Sequence, residues 1–306
     1  MSKTGTIGDS VFRTILIIFA ATILVIVAAM IAMMVQNSIP TIREFGFGFL
    51  TGSRWLPASD IYGALPFIYG TIVSSLIALI LAVPLSLGIA IFLVEQAPAR
   101  IARPIAFMVE LLAAIPSVVY GLWGIFVLAP FIRVYLGPFL QNYFGFIPLF
   151  QGRLTGIGML TGGIIMALMV TPIVTAVVRD VLEVVPTAQR EAALALGATK
   201  WETTVIVLGN AASGIAGAVV LGLGRALGET MAVTMVIGNS PQISASLFEP
   251  AYTIASVLAA NFAEATDKLY MSALIEMGLV LFLVTFIVNA LAKLLVLRVA
   301  KRQTGH

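Results

Sequence analysis

This sequence predicts an all-helical membrane protein of six transmembrane spans, on three observations. Of its 306 residues 60% are apolar and only 10% are charged, against roughly 25% charged in an ordinary soluble domain. Successive charge-poor runs reach the length of about 20 mostly apolar residues that one helical crossing needs. Lys and Arg gather beside those runs and favour alternate connections, the pattern that orients a chain in a bilayer.

The first span is expected at Thr14–Val35, between Arg13 and Arg43. It is longer than the apolar core of a signal peptide, and further spans follow. The second is expected at Ile68–Val94, after an interfacial Tyr62-Gly63-Ala64-Leu65-Pro66, with Pro84 as a kink point. The third runs from Ile105 to Val134, carries Glu110 and Pro116, and ends near Arg133. The fourth covers Ile157–Val178 with Pro172 inside. The fifth covers Ser213–Ile237 and contains Arg225 and Glu229. The sixth covers Met271–Val296, with Glu276 near one end and Lys293 near the other.

With the N-terminus inside, the inner segments hold Lys3, Arg13, Arg100, Arg103, Arg179, Arg190, Lys200, Arg298, Lys301 and Arg302. The outer ones hold Arg43, Arg54, Arg153 and Lys268. Both termini are therefore expected in the cytoplasm. Segments 37–66, 137–156 and 239–270 become outer connections, the last with Ala251–Ala263 as an interfacial or re-entrant helix. The expected organisation is a cytoplasmic segment 1–13, a first span with its outer loop 14–66, a core transmembrane domain 67–297 and a cytoplasmic tail 298–306.

Composition excludes much chemistry. There is no cysteine, and His306 is the only histidine. Disulfides, most metal sites and nucleophilic mechanisms with a His base are thereby removed, and no cofactor is expected. No GxxxxGK[ST] loop is present, so ATP hydrolysis by that route would need another chain. The net charge of +3 reflects topology, with no nucleic acid implied. The glycine pairs Gly158/Gly162 and Gly224/Gly228 permit close helix packing.

The connection at about 179–212 has legible local physics. Pro186 opens a short helix, Glu191 through Leu196 sustain it, and Gly197 suits the left-handed residue that ends it. Thr199 and Glu202 form a capping box for a second helix leading toward span five. The short helix either docks in a partner's groove or simply caps the surface between two spans.

Charges inside a bilayer are costly and mark function. In Gly222-Leu223-Gly224-Arg225-Ala226-Leu227-Gly228-Glu229-Thr230, Arg225 and Glu229 share one helical face and can pair. Two readings are open. One is a structural pair that fixes packing. The other is a switchable anion contact, in which Glu229 holds the guanidinium fork until an oxyanion takes its place. Glu110 and Glu276 read as snorkelling or inter-span hydrogen-bonding groups, Arg133 as an interface anchor, and Lys293 as snorkelling inward.

Several runs carry a family resemblance. Glu191-Ala192-Ala193, three residues, then Gly197 resembles the EAA loop of bacterial ABC-importer permeases, with Gly209-Asn210 where that pattern has Leu-Pro. Ile61-Tyr62-Gly63-Ala64, Pro66 through Thr71, Glu110 through Gly121, Gly222 through Val233 and Glu276-Met277-Gly278-Leu279 resemble the phosphate-specific branch, PstC type. The resemblance implies a type I, MetI-like permease fold in a bacterial inner membrane. It also implies a second, PstA-like permease, two copies of a PstB-like cytoplasmic ATPase and a PstS-like phosphate-binding protein outside. It assigns Arg225, Glu229 and Thr230 to the substrate pathway, and Glu191, Ala192, Ala193 and Gly197 to ATPase coupling. The expected function is a non-enzymatic permease subunit of an ATP-driven phosphate importer, moving substrate by alternating access.

Rival readings make distinct predictions. A sulfate or molybdate importer would share the intramembrane Arg. An ion-coupled secondary transporter would need no ATPase and normally shows an internal repeat, which is not evident here. An intramembrane Ser-Lys enzyme would require Lys293, which lies near the membrane edge.

Overall fold

The computed structural model describes residues 7–303, with side chains from 8 to 294. Lys3 and His306 lie outside the described residues, as do the side chains of Arg298, Lys301 and Arg302. Within that range six helices are long and apolar enough to cross a membrane. The protein is a multi-pass membrane protein.

The fourth span, Met159–Val184, is the centre of the bundle. It is apolar on nearly every face, as a helix surrounded by other helices must be, and most of its residues are buried. The second span, Leu65–Ile91, lies against it through small residues, among them Ser74, Ser75, Ala78, Ala82 and Ser86. Such residues let two backbones approach where lipid offers no hydrophobic drive for association. Ser86 donates to the Thr171 carbonyl at 3.1 Å. Pro84 lies inside this helix, and a π turn at Phe92–Gln96 follows it. Leu65 and Pro66, expected at the interface, already belong to the helix, because proline is well accommodated in a first turn.

The first span is much longer than expected, Ile7–Phe45, and includes Pro40. Its apolar surface is almost wholly uncovered. It meets the bundle at the sixth helix, Lys268–Gln303, where the Thr41 amide donates to Ser272 Oγ at 3.3 Å.

Two spans are broken where continuous helices were expected. The third crossing comprises Ala99–Ala113, then a break at Ala114-Ile115-Pro116, then a helical stretch Ser117–Phe144 with two π turns. Pro116 supplies no amide and disfavours helical geometry at Ile115, which accounts for the break. The segment after 137, expected as loop, is helical to Phe144. The fifth span is Lys200–Leu227 and stops before Glu229; a separate six-residue helix, Met231–Val236, follows. Its start lies thirteen residues before the expected Ser213, because the capped loop helix and the span are one continuous helix.

Beyond Val236 the chain returns as irregular backbone that completes the N-terminal end of the fourth span. The first amides of a helix have no partner within it. Here Gly158, Met159 and Leu160 donate to the carbonyls of Val236, Glu249 and Leu247 at 3.0, 3.1 and 2.8 Å. The short apolar stretch before span six forms the helix Ile254–Asn261, whose first residues are buried. Thr253 caps it by accepting from the Ser256 amide at 3.1 Å, and the Ile254 amide donates to Thr71 Oγ1 at 2.9 Å. An aromatic group packs the start of span two against the start of span six: Trp55 meets Tyr62 at 5.1 Å and Phe67 at 5.0 Å, and Tyr62 stacks on Tyr270 at 5.8 Å. Burial, with Asp60 adjacent, pushes the Tyr62 hydroxyl up to about 12, so it stays a neutral phenol.

Gly70 is required by close approach: a Cβ there would overlap the Tyr252 carbonyl oxygen. Backbone cannot yield as a side chain can. Gly70→Ala is therefore expected to destabilise by about 1–3 kcal/mol, the range for overpacking, read as a lowered unfolding temperature of the detergent-solubilised protein.

Candidate functional site

The charged pair forms at the break in span five. Arg225 Nη1 lies 2.7 Å from Glu229 Oε2, with side-chain exposures of 41% and 4%. The other carboxylate oxygen of Glu229 accepts from the Ala232 amide at 3.2 Å. Glu229 thus joins two helices, holding the arginine with one oxygen and the first turn of Met231–Val236 with the other. Thr230 sits between them: its hydroxyl donates to the Gly228 carbonyl at 3.2 Å, and its own carbonyl accepts from Thr234 Oγ1 at 2.6 Å.

The pair keeps its four-residue spacing although Glu229 is no longer in the Lys200–Leu227 helix. The two residues were expected within one continuous helix. The break frees the carboxylate from a helical face and lets it reach the next amide as well.

Arg225 projects from the side of span five that this chain leaves uncovered. Ser213, Gly217, Leu221, Arg225 and Gly228 are all exposed, at helical spacing along one stripe. Added Cβ atoms at Gly217 and Gly224 would meet open space. Of the two glycine pairs, Gly224/Gly228 therefore lies on the open side, whereas Gly162 sits against Ile237.

The break in span three lies level with this pair. A Cβ on Gly121 would sit 3.2 Å from Ala232 Cα, and one on Gly124 would sit 2.7 Å from Val236. Stepping back along both chains in that register brings Ser117 level with Gly228. Two interrupted crossings are thus in register where the Arg lies. Non-helical backbone at membrane depth is tolerated where protein or a water-filled path covers it.

After the C-terminal end of span four, Thr187–Ala195 is helical and Gly197 ends it with φ +86°. Thr199 and Glu202 make both halves of the capping box. Glu191 and Ala192 are exposed, while Ala193 is buried against the bundle. Leu196 is 90% exposed, an apolar side chain held out beside the glycine turn.

Two ion pairs here had no clear sequence signal, since their partners are far apart in the chain. Arg190 pairs with Glu95 at 2.7 Å and also donates to the carbonyls of Val185 and Leu182. This ties the loop helix to the C-terminal ends of spans two and four. Glu110, on the helix Ala99–Ala113 before the break, pairs with Arg179 at 2.9 Å. Glu276 in span six is buried and its Oε2 has no hydrogen-bond partner. Arg133 and Lys293 are exposed. Among the described residues no group of three or more His, Cys, Asp or Glu could hold a metal ion.

Glu95→Ala leaves Arg190, whose side chain is 19% exposed, facing two carbonyls without its counter-charge. Breaking such a pair is expected to cost about 3 kcal/mol, the low end for buried pairs. Faster proteolysis between 186 and 199 would report it, and an unchanged cleavage rate would show that the two carbonyls alone hold the helix.

A profile of the family described as binding-protein-dependent transport system inner membrane component matches residues 82–301. The phosphate transport system permease protein PstC of Mesorhizobium japonicum is 47% identical over 274 residues, covering 88% of this chain and 84% of that protein. PstC of Xylella fastidiosa is 45% identical over 300 residues, covering 96% and 92%. PstC of Pasteurella multocida is 44% identical over 300 residues. Among solved structures, an inward-facing MetNI methionine ABC transporter superposes with a TM-score of 0.55 at 18% identity, over 78% of this chain and 94% of that one. At that identity the likeness concerns the fold.

Proposed function

Since this chain belongs to the family of binding-protein-dependent transport system inner membrane components, within it to the PstC-type permeases, we propose that it forms half of the pathway of an ATP-driven phosphate importer. The observation that carries the substrate is the level of identity to PstC proteins over nearly the whole chain. The chemistry of the pair at the span-five break supports it. A guanidinium matches phosphate oxygens bidentately, and this one is held by a carboxylate that an incoming anion can replace.

On this reading the protein is a transport subunit that performs no chemistry of its own. A second, PstA-like permease covers the open face of span five. Two copies of a PstB-like ATPase dock on the cytoplasmic side against Glu191, Ala192, Ala193 and Gly197. A PstS-like protein delivers phosphate from outside. The setting is a bacterial inner membrane with both termini in the cytoplasm, and residues 67–297 are the core permease domain, preceded by a peripheral first span.

Alternating access then has a route through the molecule. Closure of the ATPases on ATP moves the Thr187–Ala195 helix. The Arg190–Glu95 pair passes that motion to span two, and the continuous Lys200–Leu227 helix passes it to Arg225. The pathway opens outward, phosphate displaces Glu229 from Arg225, and hydrolysis returns the pathway inward. Re-pairing of Arg225 with Glu229 releases the anion.

Labelled-phosphate uptake into proteoliposomes tests this. They would hold this chain, the second permease and the ATPase, with binding protein outside and ATP inside. Uptake that requires ATP and resists excess sulfate is expected. Displacement by sulfate would transfer the reading to another oxyanion, and uptake without the ATPase would replace it with a secondary transporter.

A further inference from the structure

A cleft of about 610 Å³ lies where the C-terminal end of span four, the loop helix and span five meet. Val177 and Val181 belong to its apolar wall, and Asp180, Gln189, Asn210 and Ser213 to its polar side. Asn210 Nδ2 donates to Gln189 Oε1 at 2.8 Å and so joins span five to the loop helix at the rim.

The cleft is continuous with the charged pair. Asn210, Ser213, Gly217, Leu221 and Arg225 are all exposed, at helical spacing on one stripe of the unbroken Lys200–Leu227 helix. Ser213 stands twelve residues before Arg225, about 18 Å of helix. Between them Leu221 is the one large side chain on the stripe.

The electrostatics reverse along that stripe. Arg225 supplies a cation at one end. At the other, among the described residues that line the cleft, none is Lys or Arg. Beside it Arg179 serves three carboxylates, Glu110 at 2.9 Å, Asp180 at 3.1 Å and Glu183 at 3.7 Å, each more than half exposed. One positive charge thus faces three negative ones. Asp180 and Glu183 also stand within the last five residues of Met159–Val184, where the helix dipole favours cations. Helix stability does not account for acids at that end.

We infer that this cleft is the unloading chamber of the pathway, an inference that rests on the importer reading above and on its orientation. Phosphate leaving Arg225 enters a cleft that offers the neutral donors of Ser213, Gln189 and Asn210 and no cation. Hydrogen bonds to neutral groups are about half as strong as charge-assisted ones, so the anion is held briefly and let go. The acids beside the cleft repel anions already in the cytoplasm, which lowers the chance that the chamber refills from that side.

The test exploits the absence of cysteine from the chain. Single Ser213→Cys and Gly217→Cys variants are assembled with cysteine-free partner subunits in inside-out vesicles. Methanethiosulfonates of either charge are expected to react at both positions without nucleotide, and about tenfold more slowly with ATP and vanadate, which leave the inward-open state a minor one. No reaction at either position from this face overturns the chamber, because a dry contact with the second permease gives that result. Adding Asp180→Asn with Glu183→Gln to the Ser213→Cys variant is expected to lower the ratio of cationic to anionic reaction rates about threefold at low salt. An unchanged ratio overturns the role of the acids. In proteoliposomes the same two changes, made in the cysteine-free chain, should lower about threefold the internal phosphate concentration that halves uptake. Equal slowing at every internal concentration marks a purely structural role and overturns it as well. Uptake by the unaltered complex reads the importer proposal separately. Uptake with unreactive cysteines sinks the chamber alone, whereas no uptake from an intact, ATP-hydrolysing complex sinks both.

Discussion

Arg225→Gln is expected to lower phosphate uptake by about tenfold to a hundredfold, the factor for losing one charged hydrogen-bonded contact of about 1.5–3 kcal/mol. The substitution also leaves Glu229, 4% exposed, without its counter-charge. Loss of transport could then reflect damaged packing, so the double variant Arg225→Gln, Glu229→Gln decides. It removes both charges and keeps the shape of the Glu229 side chain. Assembly is expected to recover and uptake is not. Arg225→Lys should remain poor, because an ammonium offers no planar fork. Normal uptake in the double variant would return the pair to a purely structural role. Initial rates at saturating binding protein, normalised to assembled complex, are the measurement.

The second large effect concerns Gly197. Its φ of +86° belongs to a region that costs an L residue roughly 1–2 kcal/mol, while the space around it is open. The strain is therefore conformational, without a clash. Gly197→Val should relieve it by re-aiming the turn between Thr187–Ala195 and Lys200–Leu227, moving Leu196 from its exposed position. Phosphate imported per ATP hydrolysed is expected to fall about tenfold or more, with ATPase activity persisting. Gly197→Asn should be milder, since asparagine tolerates this backbone. Equal coupling in all three proteins would separate the turn from energy transfer.

Much of this architecture was legible because hydrocarbon is an undemanding solvent to read. Length and apolarity located the six crossings, and the capping box at Thr199 and Glu202 was visible as a four-residue signature. The charged pair was visible because charges there are rare. The limits of the elements were less legible, for a physical reason. Composition cannot tell one long helix from two short ones when both are apolar. Span five was therefore read through Glu229 to Ile237, although the helix stops at Leu227. Pro116 was the signal for the break in span three; a proline alone does not separate a kink from an interruption, as Pro84 inside an intact helix demonstrates. The Arg190–Glu95 pair joins residues 95 apart and had no local signature at all.

The contact between the first and last spans bears on how the chain is made. Thr41 and Ser272 are 231 residues apart. At about 5–20 residues per second, roughly 10–50 s of synthesis separates their emergence. The leading helix must spend that interval in the bilayer with no neighbour from its docking site. Its uncharged, all-round apolar surface between Arg13 and Arg43 lets it wait there at little cost. Closure of the bundle by the last helix is then the step at which a nascent molecule becomes complete. A chain ending before Ser272 would retain a stranded leading helix, a feature by which membrane proteases could distinguish unfinished copies from finished ones.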